Sequence, residues 1–110
     1  MDTNAIKINL SYASLVILDD RDGNYNIQPP VLFPGGSAPA IEYAVDSLRR
    51  FLKSEWGEEF RKCYPLKEAV EVMRNELART GEFLMIDDSG NFRRVYSLHG
   101  IVVPVALVQE

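Results

Sequence analysis

The chain is poor in the residues from which catalytic and metal sites are usually assembled. Cys63 is its only cysteine and His99 its only histidine. No intrachain disulfide can form, and no group of soft ligands can build a zinc site. The spacings H-E-x-x-H, G-x-S-x-G and C-x-x-C are absent, which removes the usual zinc-protease, serine-hydrolase and dithiol chemistries. Acidic pairs such as Asp19/Asp20 and Glu58/Glu59 are sequence neighbours, so their side chains point apart instead of converging on one reacting atom. A Cys63–His99 nucleophilic pair would require two distant elements to meet. These absences lead to the expectation of a protein with no enzymatic activity, no cofactor and no resident metal.

Positive charge is scarce as well. Lys and Arg number 12 against 16 Asp and Glu, a formal net charge of −4, whereas phosphate-backbone binders cluster basic residues. Nucleic acid is not an expected partner. The longest apolar run near the C-terminus, residues 101–108, falls far short of the roughly 20 residues that cross a bilayer. Met1-Asp2-Thr3-Asn4 lacks the basic and apolar segments of a secretory signal, and a lone cysteine fits a reducing compartment. The expectation is a soluble, cytoplasmic protein that does not engage a membrane. With 46% apolar and 25% charged residues over 110 positions, the composition is that of one folded domain, residues 1–110.

What the chain does have is a centre, Pro34-Gly35-Gly36-Ser37-Ala38-Pro39, and the helical pattern that follows it. Ser37 is placed to cap the helix through its hydroxyl, and Pro39 falls in a first turn whose amides lack intrahelical partners. Apolar residues recur at Ile41, Ala44, Val45, Leu48, Phe51, Leu52 and Trp56, one helical face, with a break expected at Gly57. Pro65 begins a second helix as its first residue. Leu66, Ala69, Val70, Met73 and Leu77 form its apolar face, Glu71–Arg74 and Glu76–Arg79 are spaced for pairing, and Gly81 lies just beyond its end.

Strand patterns flank the helices. Ile6, Ile8, Leu10 and Tyr12 alternate with polar residues, and Leu15, Val16, Ile17 and Leu18 are apolar on both faces, as in a strand inside a sheet. Tyr25-Asn26-Ile27-Gln28 follows an Asp/Gly/Asn turn and stops at Pro29-Pro30. Val31-Leu32-Phe33 then runs extended to the glycines. After the second helix come residues 83–86, a turn at 87–91, and a strand in which Phe92, Arg94, Tyr96 and Leu98 share a face. A turn at His99-Gly100 then leads to a last strand at 101–108. The predicted order is β-β-α-α-β-β-β: an α+β fold with a five-stranded, mainly antiparallel sheet and two helices packed on one face. The first strand is expected beside the third, with the second and fifth at the edges.

Three candidate sites follow. The amides of Gly35, Gly36 and Ser37 at a helix N-terminus could receive an anion or a small ligand, although no Walker lysine and no third glycine follow. Asp20, Asp22 and Asn24 occupy the first ligand positions of a calcium loop. That match fails at Tyr25 and Val31, where a glycine and a bidentate Glu belong, so turn chemistry is the stronger reading. The third site is an interface. Tyr43 lies opposite the apolar arc of the first helix, near Arg50, and both residue types are enriched where proteins meet. Val103, Val105 and Leu107 belong to a strand apolar on both faces whose Pro104 points to an edge, and such an edge needs covering.

Between Asp22 and Leu48, the features Asp22-Gly23, Tyr25, Pro34-Gly35 and the amphipathic helix occur in order. This stretch, about a quarter of the chain, resembles the antitoxin half of HicA–HicB toxin–antitoxin pairs. It departs from them in a longer Tyr25–Pro34 spacing, and in a second helix and meander that are not that family's continuation. Taken together, the residues point to a small non-enzymatic interaction domain, homodimeric and acting by binding another protein. The alternative is a small-molecule or anion-binding module at the Gly-Gly-Ser helix start.

Overall fold

A computed structural model of the chain describes residues 11–21 and 23–102. Its elements are β1 (Ser11–Arg21), β2 (Asn24–Ile27), β3 (Val31–Phe33), α1 (Ser37–Lys53), a 3-10 turn (Glu55–Gly57), α2 (Glu58–Arg61), α3 (Leu66–Thr80), β4 (Glu82–Ile86) and β5 (Phe92–Val102). The class is the predicted α+β, with a five-stranded antiparallel sheet. The order differs: three strands precede the helices, three α-helices replace the expected two, and two strands follow.

The sheet is built around β1. On one side β2 pairs with Leu18–Arg21 and β3 with Ala13–Leu15. Between them the Gln28 amide still donates to the Ile17 carbonyl at 3.0 Å. Pro29 and Pro30 have no amide to give, so one edge strand is broken into two short pieces. On the other side β1 pairs with β5 along its whole length, from Ser11↔Val102 to Arg21↔Phe92. β4 closes the far edge against residues 93–97.

Two expectations are corrected here. The first strand lies beside β5, not beside residues 83–86. No turn forms at His99-Gly100, because β1 is long enough to pair both residues with Ser14 and Ala13 and keep β5 straight. The expected strand at 101–108 contributes Ile101 and Val102 to β5, and the rest of it lies outside the described residues. So does the beginning of the first strand, residues 6–10.

Alternation along the strands sends Leu15, Ile17, Phe83, Met85 and Tyr96 to one face, where α1 and α3 cover them with Ala44, Val45, Leu48, Phe51, Leu52, Ala69, Val70, Met73 and Leu77. The helical arcs read from spacing are thus the ones buried. Each large side chain so buried contributes about 1.5–3 kcal/mol.

The ends of α1 differ from expectation. Gly36, at φ 95, takes the N-cap position, and Ser37 is the first helical residue without a side-chain cap. At the other end the helix stops at Lys53. The Ser54 hydroxyl donates to the Phe51 carbonyl at 2.7 Å, and Arg61 donates to the carbonyls of Leu52 and Ser54 at 2.7 and 3.0 Å, satisfying acceptors that a helix terminus leaves open. Gly57 matters for closeness rather than for a left-handed turn: a Cβ there would stand 2.1 Å from the Phe51 carbonyl oxygen. Because the helix ends early, Trp56 leaves the predicted apolar arc and is 61% exposed. α2 carries Phe60 into the core instead, 5.4 Å from the Phe51 ring.

α3 follows Pro65, which sits one position before the first helical residue, and ends at Gly81 in the left-handed region, φ 83. The Glu76–Arg79 pair forms at 2.8 Å. Arg74 turns away from Glu71 and reaches Glu42 on α1 at 2.8 Å. Among the described residues no helix is long and apolar enough to cross a membrane.

Candidate functional site

α1 lies over β1 and β5 and leaves β2 uncovered on the same face. The space this leaves is a cleft of about 730 Å³ between the β1–β2 hairpin and α1. Its strand wall carries Arg21, Asn24 and Asn26, which register places on the helix side of the sheet. Its helix wall is a stripe at one-turn steps, Tyr43, Ser47, Arg50 and Ser54, and Trp56 stands at one end.

The floor is a buried polar network. Arg94 donates to Asp19 at 2.7 Å and through Nε to the Tyr96 hydroxyl at 2.9 Å. That hydroxyl lies 3.4 Å from the Ser47 hydroxyl, and the Arg94 guanidinium sits 3.9 Å over the Phe51 ring. A guanidinium this deep is tolerable because its charge is matched by Asp19 and two of its nitrogens have acceptors. Closer to the surface, the Arg21 guanidinium contacts the rings of Trp56 and Phe92, 4.8 and 5.4 Å from their centres. It donates to the Trp56 carbonyl at 3.4 Å. Arg50 has no hydrogen bond or ion pair among the described residues.

Of the residues picked from sequence, Tyr43 and Arg50 are brought onto one wall of this cleft. Gly35, Gly36 and Ser37 lie at the N-terminal end of α1 and are not among the residues that line the cleft, whose nearest helix residue, Tyr43, stands roughly 9 Å along the axis from Ser37 at 1.5 Å per residue. The Gly36 amide is already bonded to the Phe33 carbonyl at 3.0 Å. Asp20 pairs across to Tyr25, whereas Asn24 pairs with Arg21, so Asp20 and Asn24 sit on opposite faces of the sheet and cannot share a cation. Asp22 lies outside the described residues, as do Val103, Val105 and Leu107. Among the described residues no three His, Cys, Asp or Glu groups come together as metal ligands.

The thiol and the second acidic turn are occupied structurally. Cys63 donates to Asp88 at 2.7 Å, and that bond to a carboxylate, with burial and nearby negative charge, pushes the thiol pKa up. A thiol held protonated is a poor nucleophile. His99 belongs to β5 seven residues beyond Phe92, roughly 20 Å along the strand from the turn that Cys63 contacts. Burial pushes the Asp87 carboxyl up. Bonds from the Phe92 amide, the Ser89 hydroxyl and the turn amides outweigh that and hold it below its usual value.

Among the described residues, no helix packs on the other face of the sheet. Ile27, Leu18, Val95 and Leu84 form an unbroken cross-strand row through β2, β1, β5 and β4. Ile27 is 63% and Leu84 49% exposed. The next row is Tyr25, Asp20, Arg93 and Ile86, in which Arg93 pairs with Asp20. Asp20 is only 3% exposed, and its Oδ1 has no donor among the described residues.

Sequence reading missed this row and the Asp19–Arg94 floor. The alternation had put Arg94 on the face of Tyr96 and Leu98, which was the available signal for a buried charge. Comparison with protein-family models, curated proteins and solved structures finds no match. The HicB-like order of features between Asp22 and Leu48 therefore gains no support from them.

Proposed function

We propose that this protein is a small non-enzymatic interaction domain whose first partner is a second copy of itself, docked through the face of the sheet opposite α1 and α3. The observation that carries the reading is the apolar row Ile27–Leu18–Val95–Leu84, extended by Tyr25, Ile86 and Leu32. Contiguous exposed apolar patches rimmed by polar residues mark interaction sites.

Charge favours a like partner. The Asp20–Arg93 pair neutralises itself within the face, leaving little net charge there to select an oppositely charged protein. Faces that are apolar and internally neutral suit isologous pairing, in which each residue meets its counterpart's surroundings on the other copy. The two edges of the sheet are poorer candidates: one is broken by Pro29-Pro30, and on the other the Ile86 amide is taken by the Tyr64 hydroxyl at 2.9 Å.

Light scattering on the wild type and on Leu84→Lys and Ile27→Lys tests this. The expected result is a wild-type dimer and two folded monomers. A wild type that stays monomeric at high concentration, or lysine variants that remain dimeric, overturns it.

A further inference from the structure

On the opposite side of the sheet, independently of any dimer, we propose that the cleft between the β1–β2 hairpin and α1 binds a small ligand that joins a flat unsaturated ring to a carboxylate or phosphate. The volume of about 730 Å³ lies within the roughly 300–1,000 Å³ of small-molecule sites. Its chemistry is unlike that of the rest of the chain. In a protein of net charge −4 the cleft gathers Arg21, Arg50 and Arg94 against one acid among the described residues, Asp19. The Asp19–Arg94 pair at 2.7 Å cancels itself, which leaves two guanidinium groups facing a common space.

Those two groups are in different states, and both are suited to an anion. Arg21 is held by its contacts with the Trp56 and Phe92 rings and its bond to the Trp56 carbonyl, so its planar fork is oriented before a ligand arrives. Arg50 has no hydrogen-bond or ion-pair partner among the described residues, so its donors are open to a bidentate contact with a carboxylate or phosphate. Trp56 and Tyr43 keep exposed ring surface at the rim, 61% and 40%. Such surface lowers its free energy by stacking on another flat ring. Asn24 and Asn26 add neutral donors and acceptors able to read the ring's polar edge.

Trp56 is the chain's only tryptophan, so its fluorescence reports on this cleft alone. The full chain is titrated with two matched pairs, AMP against adenosine and nicotinate against nicotinamide, and with inorganic phosphate. A saturable change is expected with AMP or nicotinate, at least about tenfold weaker with the uncharged member of that pair and with phosphate alone. Which of the two anions binds separates a phosphate ligand from a carboxylate one. Arg50→Ala, at an exposed position, should weaken binding about tenfold while thermal unfolding stays unchanged, and amide shifts at Asn24 and Asn26 should follow the same titration. No saturable change with any of the five compounds overturns the proposal. Equal binding of adenosine and AMP removes its anionic half, and equal binding of phosphate and AMP removes its ring.

Discussion

Two salt bridges stand side by side on the same two strands, Asp19–Arg94 and Asp20–Arg93, and differ only in which face of the sheet they occupy. The inner pair is enclosed by α1. Its arginine is 6% and its aspartate 15% exposed at the side chain, and it is tied to Tyr96 and stacked on Phe51. The outer pair has a half-exposed arginine over a buried aspartate with one orphan oxygen. One register step of the chain thus separates a charge pair built into a core from one lying on the face that α1 and α3 do not cover. The contrast shows that sequence-local chemistry is the same in the two cases, and the layer above decides what the pair does.

Breaking the inner pair gives the largest expected effect. Arg94→Met removes the guanidinium and strands the Asp19 carboxylate, and loss of one partner of a buried pair costs about 3–5 kcal/mol. Denaturant unfolding should show that loss. The double variant Asp19→Leu with Arg94→Met should recover most of it, because an apolar pair of similar volume removes the stranded charge. A double variant as unstable as the single one would mean that the Tyr96 and Ser47 bonds, rather than the charge pairing, carry the network.

Arg93→Ala on the outer face should cost less, about 1–2 kcal/mol, although Asp20 is more buried than Asp19. Removing the half-exposed Arg93 side chain opens Asp20 to water, which replaces the lost donor. Measured in a Leu84→Lys background, the comparison is free of any contribution from self-association. Equal losses for Arg93→Ala and Arg94→Ala would show that the helix layer does not distinguish the two sites.

How much of this could be read in advance follows the same division. The apolar arcs of α1 and α3 repeat at helical spacing and are buried as read, because burial of one face is what the spacing encodes. The phase of β5 was also legible, with Arg94 beside Tyr96. What alternation cannot state is which of two faces a helix will cover. Leu18, Val95 and Leu84 are as apolar as Ile17 and Phe83, yet they lie on the face that α1 and α3 do not cover. The end of α1 was illegible for another reason: Arg61, on the next helix, folds back to satisfy the carbonyls at which α1 stops. Trp56 kept its place in the periodic pattern and lost its place in the core.

A smaller effect comes from a carboxylate held by amides instead of an arginine. Asp87 has its pKa lowered in the folded chain. The stability it supplies is therefore fully present above the usual carboxylate range and is lost as pH falls through the lowered folded-state value. Asp87→Asn should be less stable than wild type at neutral pH by about 1 kcal/mol, with the gap narrowing in acid as the wild-type carboxylate protonates. A gap independent of pH would assign the loss to turn geometry alone.

The smallest effect belongs to Glu42–Arg74, which joins α1 to α3 through two parallel bonds, 3.0 Å from Nε and 2.8 Å from the terminal nitrogen. Its geometry is as good as that of either sheet pair. The hydrogen bond from Arg74 lowers the Glu42 pKa, so its contribution too is present at neutral pH and fades in acid. Both side chains are well exposed, 58% and 44%, and exposed pairs contribute about 0–1 kcal/mol, less as salt screens them. Glu42→Gln should change stability by no more than that, and added salt should erase the difference. A loss as large as that of Arg93→Ala, surviving high salt, would show that bond geometry outranks the covering layer. The three pairs would then have to be ordered by distance and angle instead of burial.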